Sequence, residues 1–143
     1  MNTILVVEDN PADVFLIKEV LASAGITDRY SIEFAEDGEE ALLALSRAAN
    51  DRRLPGLILL DLNLPKSGGM EVLQSIRQNP RLAETIVVTW TSSVAPHEAE
   101  ALNCLGVTRH VIKPMRLEEY VQIGTLLRDL LESRDTASMG SGR

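Results

Sequence analysis

Five short apolar segments alternate with helical patterns along the chain, and this alternation constrains the fold more than any other feature. The apolar segments span about 3–7, 30–35, 57–60, 85–90 and 107–112. Each is followed by apolar residues at three- and four-residue spacing, which indicates an amphipathic helix. Strands that alternate with helices form a parallel sheet with helices on both faces. We therefore predict an α/β domain built on a doubly wound, five-stranded parallel sheet.

Boundary signals support these helices. Asn10 and Pro11 predict the start of the first helix, and Gly25 predicts its end. Asp37 and Glu40 have the spacing of a capping box at the start of the second helix. A fourth helix is predicted over 95–105 and a last helix over 117–131.

The last predicted helix sets the domain boundary. The residues that we expect to face the core are Leu117, Tyr120, Val121, Leu127, Leu130 and Leu131. From residue 134 onward the chain is small and polar, which is typical of a frayed terminus. We predict one domain over 1–133 and a flexible tail over 134–143.

Charge and composition exclude several classes of function. The chain has 143 residues, a formal net charge of −7 and no block of Lys or Arg, which argues against a basic nucleic-acid-binding surface. Its single cysteine, Cys104, excludes an internal disulfide, and its apolar surroundings predict a buried thiol. No segment resembles a signal peptide or a membrane span. We expect a cytoplasmic protein that binds neither nucleic acid nor membrane.

Charged and hydroxyl side chains follow four of the five predicted strands. Glu8 and Asp9 follow the first, Asp61 the third, Thr91 the fourth and Lys113 the fifth. In open parallel sheets, ligands bind outside the carboxyl ends of the strands, where the strand order reverses. The sequence therefore predicts that these side chains converge at one edge of the sheet.

Residues of these types suit phosphoryl transfer. A carboxylate such as Asp61 can attack phosphorus and form an aspartyl-phosphate. Mg²⁺ prefers carboxylates, waters and phosphate oxygens, so it reconciles the acids with an anionic substrate. Lys113 and Thr91 can pair with further phosphoryl oxygens. We predict a Mg²⁺-dependent phosphoryl site.

Four motifs in order, Glu8-Asp9, Asp61, Thr91-Ser92 and Lys113-Pro114, resemble the response-regulator receiver domain of two-component signalling. The resemblance covers residues 3 to about 132 and includes the separations between the motifs. It implies the flavodoxin-like strand order 2-1-3-4-5. It also implies that Asp61 is the phosphoacceptor and that Thr91 is a switch hydroxyl which moves toward the phosphoryl group.

The same resemblance assigns the remaining site residues. It implies that Asp9 ligates Mg²⁺ directly, that Glu8 assists through a metal-bound water, and that Asn63 supplies its backbone carbonyl. Lys113 would pair with the phosphoryl group, and its peptide bond to Pro114 would be cis. Asp61 completes the implied metal ligands.

The chain departs from the common family pattern in two places. Three positions before the lysine, the family usually has an aromatic switch residue, and here the residue is His110. An imidazole could still act as the switch, although it is smaller and can carry charge near neutral pH. The first acids and Asp61 are also further apart than a minimal receiver needs, with the surplus around 48–56. This length and the residues after Asp61 resemble the phytochrome-associated response regulators.

The resemblance implies a phosphorelay function. A sensor histidine kinase, of which a phytochrome is the type suggested, or a phosphotransfer protein would deliver phosphate to Asp61. Output would occur through protein–protein contacts, including a homodimer formed by the fourth helix, fifth strand and last helix. The only catalysis would be the chain's own phosphorylation and dephosphorylation.

Two other functions remain open from the residues. One is a Mg²⁺-dependent phosphohydrolase, although such enzymes often carry a second acid two positions after the nucleophile, where this chain has Asn63. The other is a phosphate-independent binding module, although such modules commonly lack the acceptor or the lysine, and this chain has both.

Overall fold

The structure, a computed structural model, describes residues 3–64, 68–92 and 102–141, which contain one five-stranded parallel sheet. The strands are β1 (Thr3–Val7), β2 (Ser31–Ala35), β3 (Leu57–Asp61), β4 (Ile86–Thr91) and β5 (Arg109–Ile112). They lie in the order β2-β1-β3-β4-β5, and every neighbouring pair is parallel. The predicted sheet and strand order are confirmed.

Four long helices within the described residues cover the strands. They are α1 (Pro11–Ser23), α2 (Gly38–Asn50), α3 (Gly69–Gln78) and the C-terminal helix (Leu117–Ser141). Two short 3₁₀ helices span Ile26–Asp28 and Pro80–Leu82. Most of the helix predicted over 95–105 lies outside the described residues, although residues 102–104 are helical.

The sheet separates two apolar cores. One face packs Ile4 and Leu57 against α1 and the C-terminal helix. The opposite face packs Leu5 and Ile58 against α2 and α3. A central parallel strand is covered on both faces, so its side chains are apolar without alternation. For this reason β3 is buried at all five positions, including Asp61.

The predicted helix caps are confirmed. The Asn10 side chain accepts hydrogen bonds from the backbone N–H groups of Ala12 and Asp13, at 2.9 and 3.3 Å. The Asp37 carboxylate accepts from the N–H of Glu40 at 2.8 Å, while the Glu40 carboxylate accepts from the N–H of Glu36 at 3.2 Å. These bonds satisfy N–H groups that have no partner within the helix, and the first of these caps holds α1 beside the end of β1.

The C-terminal helix extends ten residues beyond its predicted end at residue 131, so the predicted helix end is wrong. Contacts of Arg134 and Asp135 anchor the helix just beyond residue 131. The Tyr30 hydroxyl donates a hydrogen bond to the Asp135 carboxylate at 2.6 Å, and Arg134 pairs with Asp135 at 3.0 Å. Arg134 also lies so close to Gly56 that a Cβ there would be 2.5 Å from its guanidinium. The mobility of 134–143 stays a prediction.

The helical face that meets the core also differs from the prediction. Leu117 and Val121 are 69% and 63% exposed, whereas Tyr120 and Leu127 are buried as predicted. Ile123 occupies the buried position instead. Because the helix carries two adjacent apolar stripes, its sequence alone does not determine which stripe faces the sheet.

Two smaller expectations are wrong. Cys104 is exposed, since Leu102 and Leu105 are the residues of that helical turn which pack on the core. The described residues contain no cis peptide bond, so the bond between Lys113 and Pro114 is trans. In addition, none of the helices described is long and apolar enough to cross a membrane.

Candidate metal and phosphoryl site

The carboxyl ends of four strands bring the predicted site residues together. Glu8 and Asp9 directly follow β1, and Lys113 directly follows β5. Asp61 is the last residue of β3, and Thr91 is the last residue of β4. The crevice lies where β1 pairs with both β2 and β3, which is the reversal point of the strand order.

Three carboxylates form a cluster that could hold a metal ion. Glu8, Asp9 and Asp61 each offer one oxygen, and these oxygens lie within 4.8 Å of one another. Glu8 and Asp61 are each 1% exposed, whereas Asp9 is open to solvent. Carboxylate oxygens with an open side suit hard divalent cations such as Mg²⁺ and Mn²⁺, which keep water ligands. The donor set therefore fits a divalent metal.

The buried acid Glu8 has a strongly perturbed pKa. Burial raises the pKa of Glu8 to about 7, although its contact with Lys113 opposes the shift. The backbone N–H of Asn10 donates to the Glu8 carboxylate at 3.1 Å and also favours the ionised form. Because a negative charge at Glu8 is poorly solvated, a cation beside it would stabilise the ionised form.

Lys113 is the positive centre of the site. Its Nζ lies 2.9 Å from the Glu8 carboxylate, 3.0 Å from that of Asp13 and 3.2 Å from that of Asp61. Its backbone N–H donates to the carbonyl of Thr91 at 2.7 Å, which fixes the chain beside β4. Burial lowers the pKa of Lys113, but its contacts with the carboxylates of Glu8 and Asp13 and the charge of Asp61 together raise it above its ordinary value. Lys113 is therefore cationic at neutral pH.

Asp13 is a member of this cluster that the sequence reasoning missed. It lies in the first turn of α1, and its carboxylate accepts a hydrogen bond from Lys113. A signal existed, because Asp13 falls in the first turn of a helix whose start, directly after Glu8 and Asp9, is fixed by Asn10 and Pro11. Such a residue lies one helical turn from the site.

Trp90 forms an aromatic wall behind Lys113. The Lys113 ammonium lies 5.0 Å from the centroid of the Trp90 ring, within the range of a cation–π contact. Trp90 is fully buried. Its ring meets that of Tyr120 edge to face, with centroids 6.5 Å apart and planes at 88°. The site is therefore in direct contact with the core beneath the C-terminal helix.

Asn63 connects Asp61 with Thr91. Its backbone N–H donates to the Asp61 carboxylate at 2.8 Å, and its side-chain amide donates to the Thr91 hydroxyl. Thr91 is buried. The side-chain contact was not expected from the sequence, since it depends on how the loop after β3 turns toward β4.

His110 contacts a threonine other than the predicted switch residue. It pairs with Thr89 in the register of β4 and β5, and its Nδ1 lies 2.7 Å from the Thr89 hydroxyl. Thr91 instead pairs with Ile112. A switch role for His110 stays a prediction.

Gly69 allows the loop after Asp61 to close tightly. A Cβ at this position would lie 2.4 Å from the Cα of Leu62 and 2.6 Å from the carbonyl oxygen of Asp61. Contacts that short do not occur with real side chains, so the helix can begin this close to the strand only with glycine.

Known proteins are similar to this chain in sequence. The sequence model of the response regulator receiver domain matches residues 4–124. Rcp1 of Synechocystis sp. is 40% identical over 121 residues, which cover 82% of this chain and 80% of Rcp1. The probable methanogenesis regulatory protein FilR2 of Methanothrix harundinacea is 38% identical over 117 residues, which cover 81% of this chain and 74% of FilR2.

Solved structures agree with the sequence matches. The phosphorylated cyanobacterial phytochrome response regulator RcpA superposes with a TM-score of 0.81 at 34% identity, covering 92% of this chain and 94% of RcpA. The Mn²⁺-bound form of Rcp1 superposes with a TM-score of 0.74 at 35% identity, covering 87% of this chain and 89% of Rcp1.

A doubly wound sheet with an acidic crevice opposite one lysine defines a phosphoacceptor domain. The chain belongs to the response regulator receiver family of two-component signalling. Receiver domains accept phosphate from histidine kinases and bind a divalent metal. The predicted family and its general function are therefore confirmed.

Proposed function

We propose that Asp61 is the phosphoacceptor and that the reaction depends on Mg²⁺. The observation that carries the proposal is the convergence of Asp61 with Lys113 and two further acids in one crevice. One Asp61 oxygen accepts from the backbone of Asn63, and the other lies 3.2 Å from the Lys113 ammonium. The carboxylate is thus held in one orientation at the open edge of the sheet.

The proposed reaction transfers a phosphoryl group without a change of oxidation state. The phosphorus–nitrogen bond of a phosphohistidine breaks, a bond forms between phosphorus and an Asp61 oxygen, and the imidazole leaves with its electron pair and takes up a proton. Lys113 pairs with one phosphoryl oxygen, and the Thr91 hydroxyl donates to another. Mg²⁺, when held by Glu8, Asp9, Asp61 and the Asn63 carbonyl, supplies further charge neutralisation.

The phosphohydrolase alternative has less support. An enzyme of that type needs an acid to protonate the leaving group. The residue two positions after Asp61 is Asn63, whose amide donates to Thr91. We therefore propose that catalysis is limited to phosphorylation and dephosphorylation of Asp61 itself.

Intact mass tests the acceptor assignment. The protein is incubated with Mg²⁺ and acetyl phosphate, and the mass gain of one phosphoryl group is measured. We expect the gain in the wild type and none in Asp61→Asn. As a matched control, Asp51→Asn changes an exposed acid outside the site and should gain as much as the wild type. Equal gain in Asp61→Asn would refute the assignment.

The partners follow from the similarity to Rcp1 and RcpA, the second of which is named a phytochrome response regulator. We propose that a phytochrome-type sensor histidine kinase or a phosphotransfer protein supplies the phosphate in the cytoplasm. The output would be an altered protein–protein contact rather than nucleic-acid or membrane binding, in keeping with the net charge of −7.

A homodimer is one such output. Exposed apolar side chains cluster along β5 and the start of the C-terminal helix, and they include Ile112, Met115, Leu117 and Val121. We propose that the dimer forms through this surface, termed the β5 surface. The helix predicted over 95–105, which would complete the surface, lies largely outside the described residues.

A further inference from the structure

The Lys113 ammonium already donates hydrogen bonds to Asp13 and Asp61 and forms an ion pair with Glu8 before any phosphoryl group arrives. An ammonium has three hydrogen-bond donors and no acceptor. Three carboxylates, those of Glu8, Asp13 and Asp61, lie 2.9, 3.0 and 3.2 Å from Lys113 Nζ. A phosphoryl oxygen on Asp61 must therefore compete with these carboxylates for the ammonium.

Asp13 is the carboxylate that can be released most easily. Glu8 and Asp61 have side chains that are 0% and 2% exposed, whereas that of Asp13 is 18% exposed. An acid that turns toward water avoids the desolvation penalty of a buried charge. Asp13 also lies in the first turn of α1, where the helix dipole stabilises a negative charge without a partner.

We propose that Asp13 is a positioning residue that binds Lys113 in the unphosphorylated state and competes with the phosphoryl group for it. This inference rests on the proposed role of Asp61. Release of Asp13 frees one donor of Lys113 for the phosphoryl oxygen. The competition makes the phosphorylated arrangement less stable than it would be with a neutral residue at position 13.

Asp13→Asn tests the competition, because asparagine keeps the size of the side chain and removes its charge. Beryllofluoride, a phosphoryl analogue, is titrated at saturating Mg²⁺. The loss of one partly exposed ion pair predicts that Asp13→Asn binds beryllofluoride about three- to tenfold more tightly than the wild type. Asp13→Glu restores the charge and should return the affinity toward the wild-type value.

Trp90 provides a readout that depends on the position of Lys113. It is the single tryptophan of the sequence, and the Lys113 ammonium lies 5.0 Å from its ring centroid. Movement of the ammonium changes the electric field at the indole and hence its fluorescence. The Asp13→Asn protein should show a shifted emission spectrum before any ligand is added, which an effect on stability alone would not produce.

Glu19→Gln on the same helix is the matched control, because it removes an exposed charge away from the site. Unchanged or weaker beryllofluoride binding by Asp13→Asn would overturn the inference. An equal gain in beryllofluoride affinity in Glu19→Gln would overturn it too. Asp13→Ser removes the same charge and should act in the same direction if Asp13→Asn folds poorly. If the wild type itself gives no response to beryllofluoride with Mg²⁺, the proposed role of Asp61 fails, and the inference fails with it.

Discussion

The side-chain amide of Asn63 donates a hydrogen bond to the hydroxyl of Thr91, so the loop after β3 and the end of β4 are joined beside Asp61. A threonine hydroxyl has one donor and two acceptor positions. Because the amide occupies an acceptor position, it restricts the orientation of the Thr91 hydroxyl. Asn63 therefore holds the Thr91 hydroxyl at the edge where the phosphoryl group would arrive.

Thr91→Ala should weaken the response to a phosphoryl group more than it weakens Mg²⁺ binding. Thr91 is outside the carboxylate cluster that would hold the metal, so we expect Mg²⁺ affinity within about twofold of the wild type. Loss of one hydrogen bond to a charged group predicts about tenfold weaker beryllofluoride binding. Both affinities are measured by Trp90 fluorescence.

Two variants check that the hydroxyl is responsible. Thr91→Ser keeps the donor and should bind beryllofluoride nearly as well as the wild type. Asn63→Ala should bind beryllofluoride about two- to fivefold more weakly than the wild type, because the Thr91 hydroxyl is no longer oriented. If Thr91→Ala binds the analogue as tightly as the wild type, the hydroxyl has no switch role.

Gly69→Ala should disrupt the loop that follows Asp61. The new methyl group would lie 2.6 Å from the Asp61 carbonyl oxygen and 2.4 Å from the Cα of Leu62, and both are backbone atoms. We expect a loss of about 1–3 kcal/mol in the free energy of unfolding, measured with urea, together with weaker Mg²⁺ binding.

The neighbouring glycine gives a matched control. A Cβ at Gly68 would have no atom within 4 Å, and the backbone there has negative φ. Gly68→Ala should therefore fold with nearly wild-type stability and bind Mg²⁺ normally. Equal loss of stability in both variants would show that the close approach at Gly69 is unimportant.

The sequence could predict the sheet and the main site residues because both depend on local signals. The apolar runs of β1 and β3 are long enough to identify buried strands, and Glu8 and Asp61 directly follow these runs. Parallel strands bring their carboxyl ends to one edge, so the convergence of these residues follows from topology alone.

Other features depend on how elements are rotated and packed, which local patterns do not encode. Asp13 reaches Lys113 only because α1 presents its first turn to the end of β5. The extension of the C-terminal helix depends on a contact between Tyr30 and Asp135, which are 105 positions apart in the sequence. The exposure of Val121 depends on the rotation of that helix about its own axis.

Val121→Glu should prevent dimerisation if the β5 surface forms the dimer. Val121 is 63% exposed, so the substitution should leave the fold intact, while a charge buried at an interface is unfavourable. We expect the wild type to dimerise with Mg²⁺ and beryllofluoride, and Val121→Glu to dimerise at least about tenfold more weakly. Light scattering after size-exclusion chromatography measures both.

Leu43→Glu is the control for a charge placed on an exposed apolar position. Leu43 is 51% exposed on α2, outside the β5 surface. The Leu43→Glu variant should dimerise with the same affinity as the wild type. Dimers of Val121→Glu with wild-type affinity would exclude the β5 surface as the interface.

Asp135→Asn should destabilise the protein in a pH-dependent manner. The hydrogen bond from Tyr30 lowers the pKa of Asp135 below its usual 3.8, with a smaller contribution from Arg134. Burial raises the pKa of Tyr30, so its hydroxyl remains a donor at neutral pH. A depressed carboxyl pKa stabilises the fold above the usual pKa, and this stabilisation is lost as the pH falls through the folded-state pKa.

For a partly exposed pair, the wild type should exceed Asp135→Asn by about 0.5–1 kcal/mol in the free energy of unfolding near neutral pH. The difference should shrink toward zero as the pH falls through the lowered pKa of Asp135, because the wild-type carboxyl then becomes neutral as well. Urea unfolding at a series of pH values measures this difference. Asp129→Asn, an exposed acid on the same helix, should show no such dependence. A constant difference across the range would mean that the Asp135 charge does not hold the end of the helix against Tyr30.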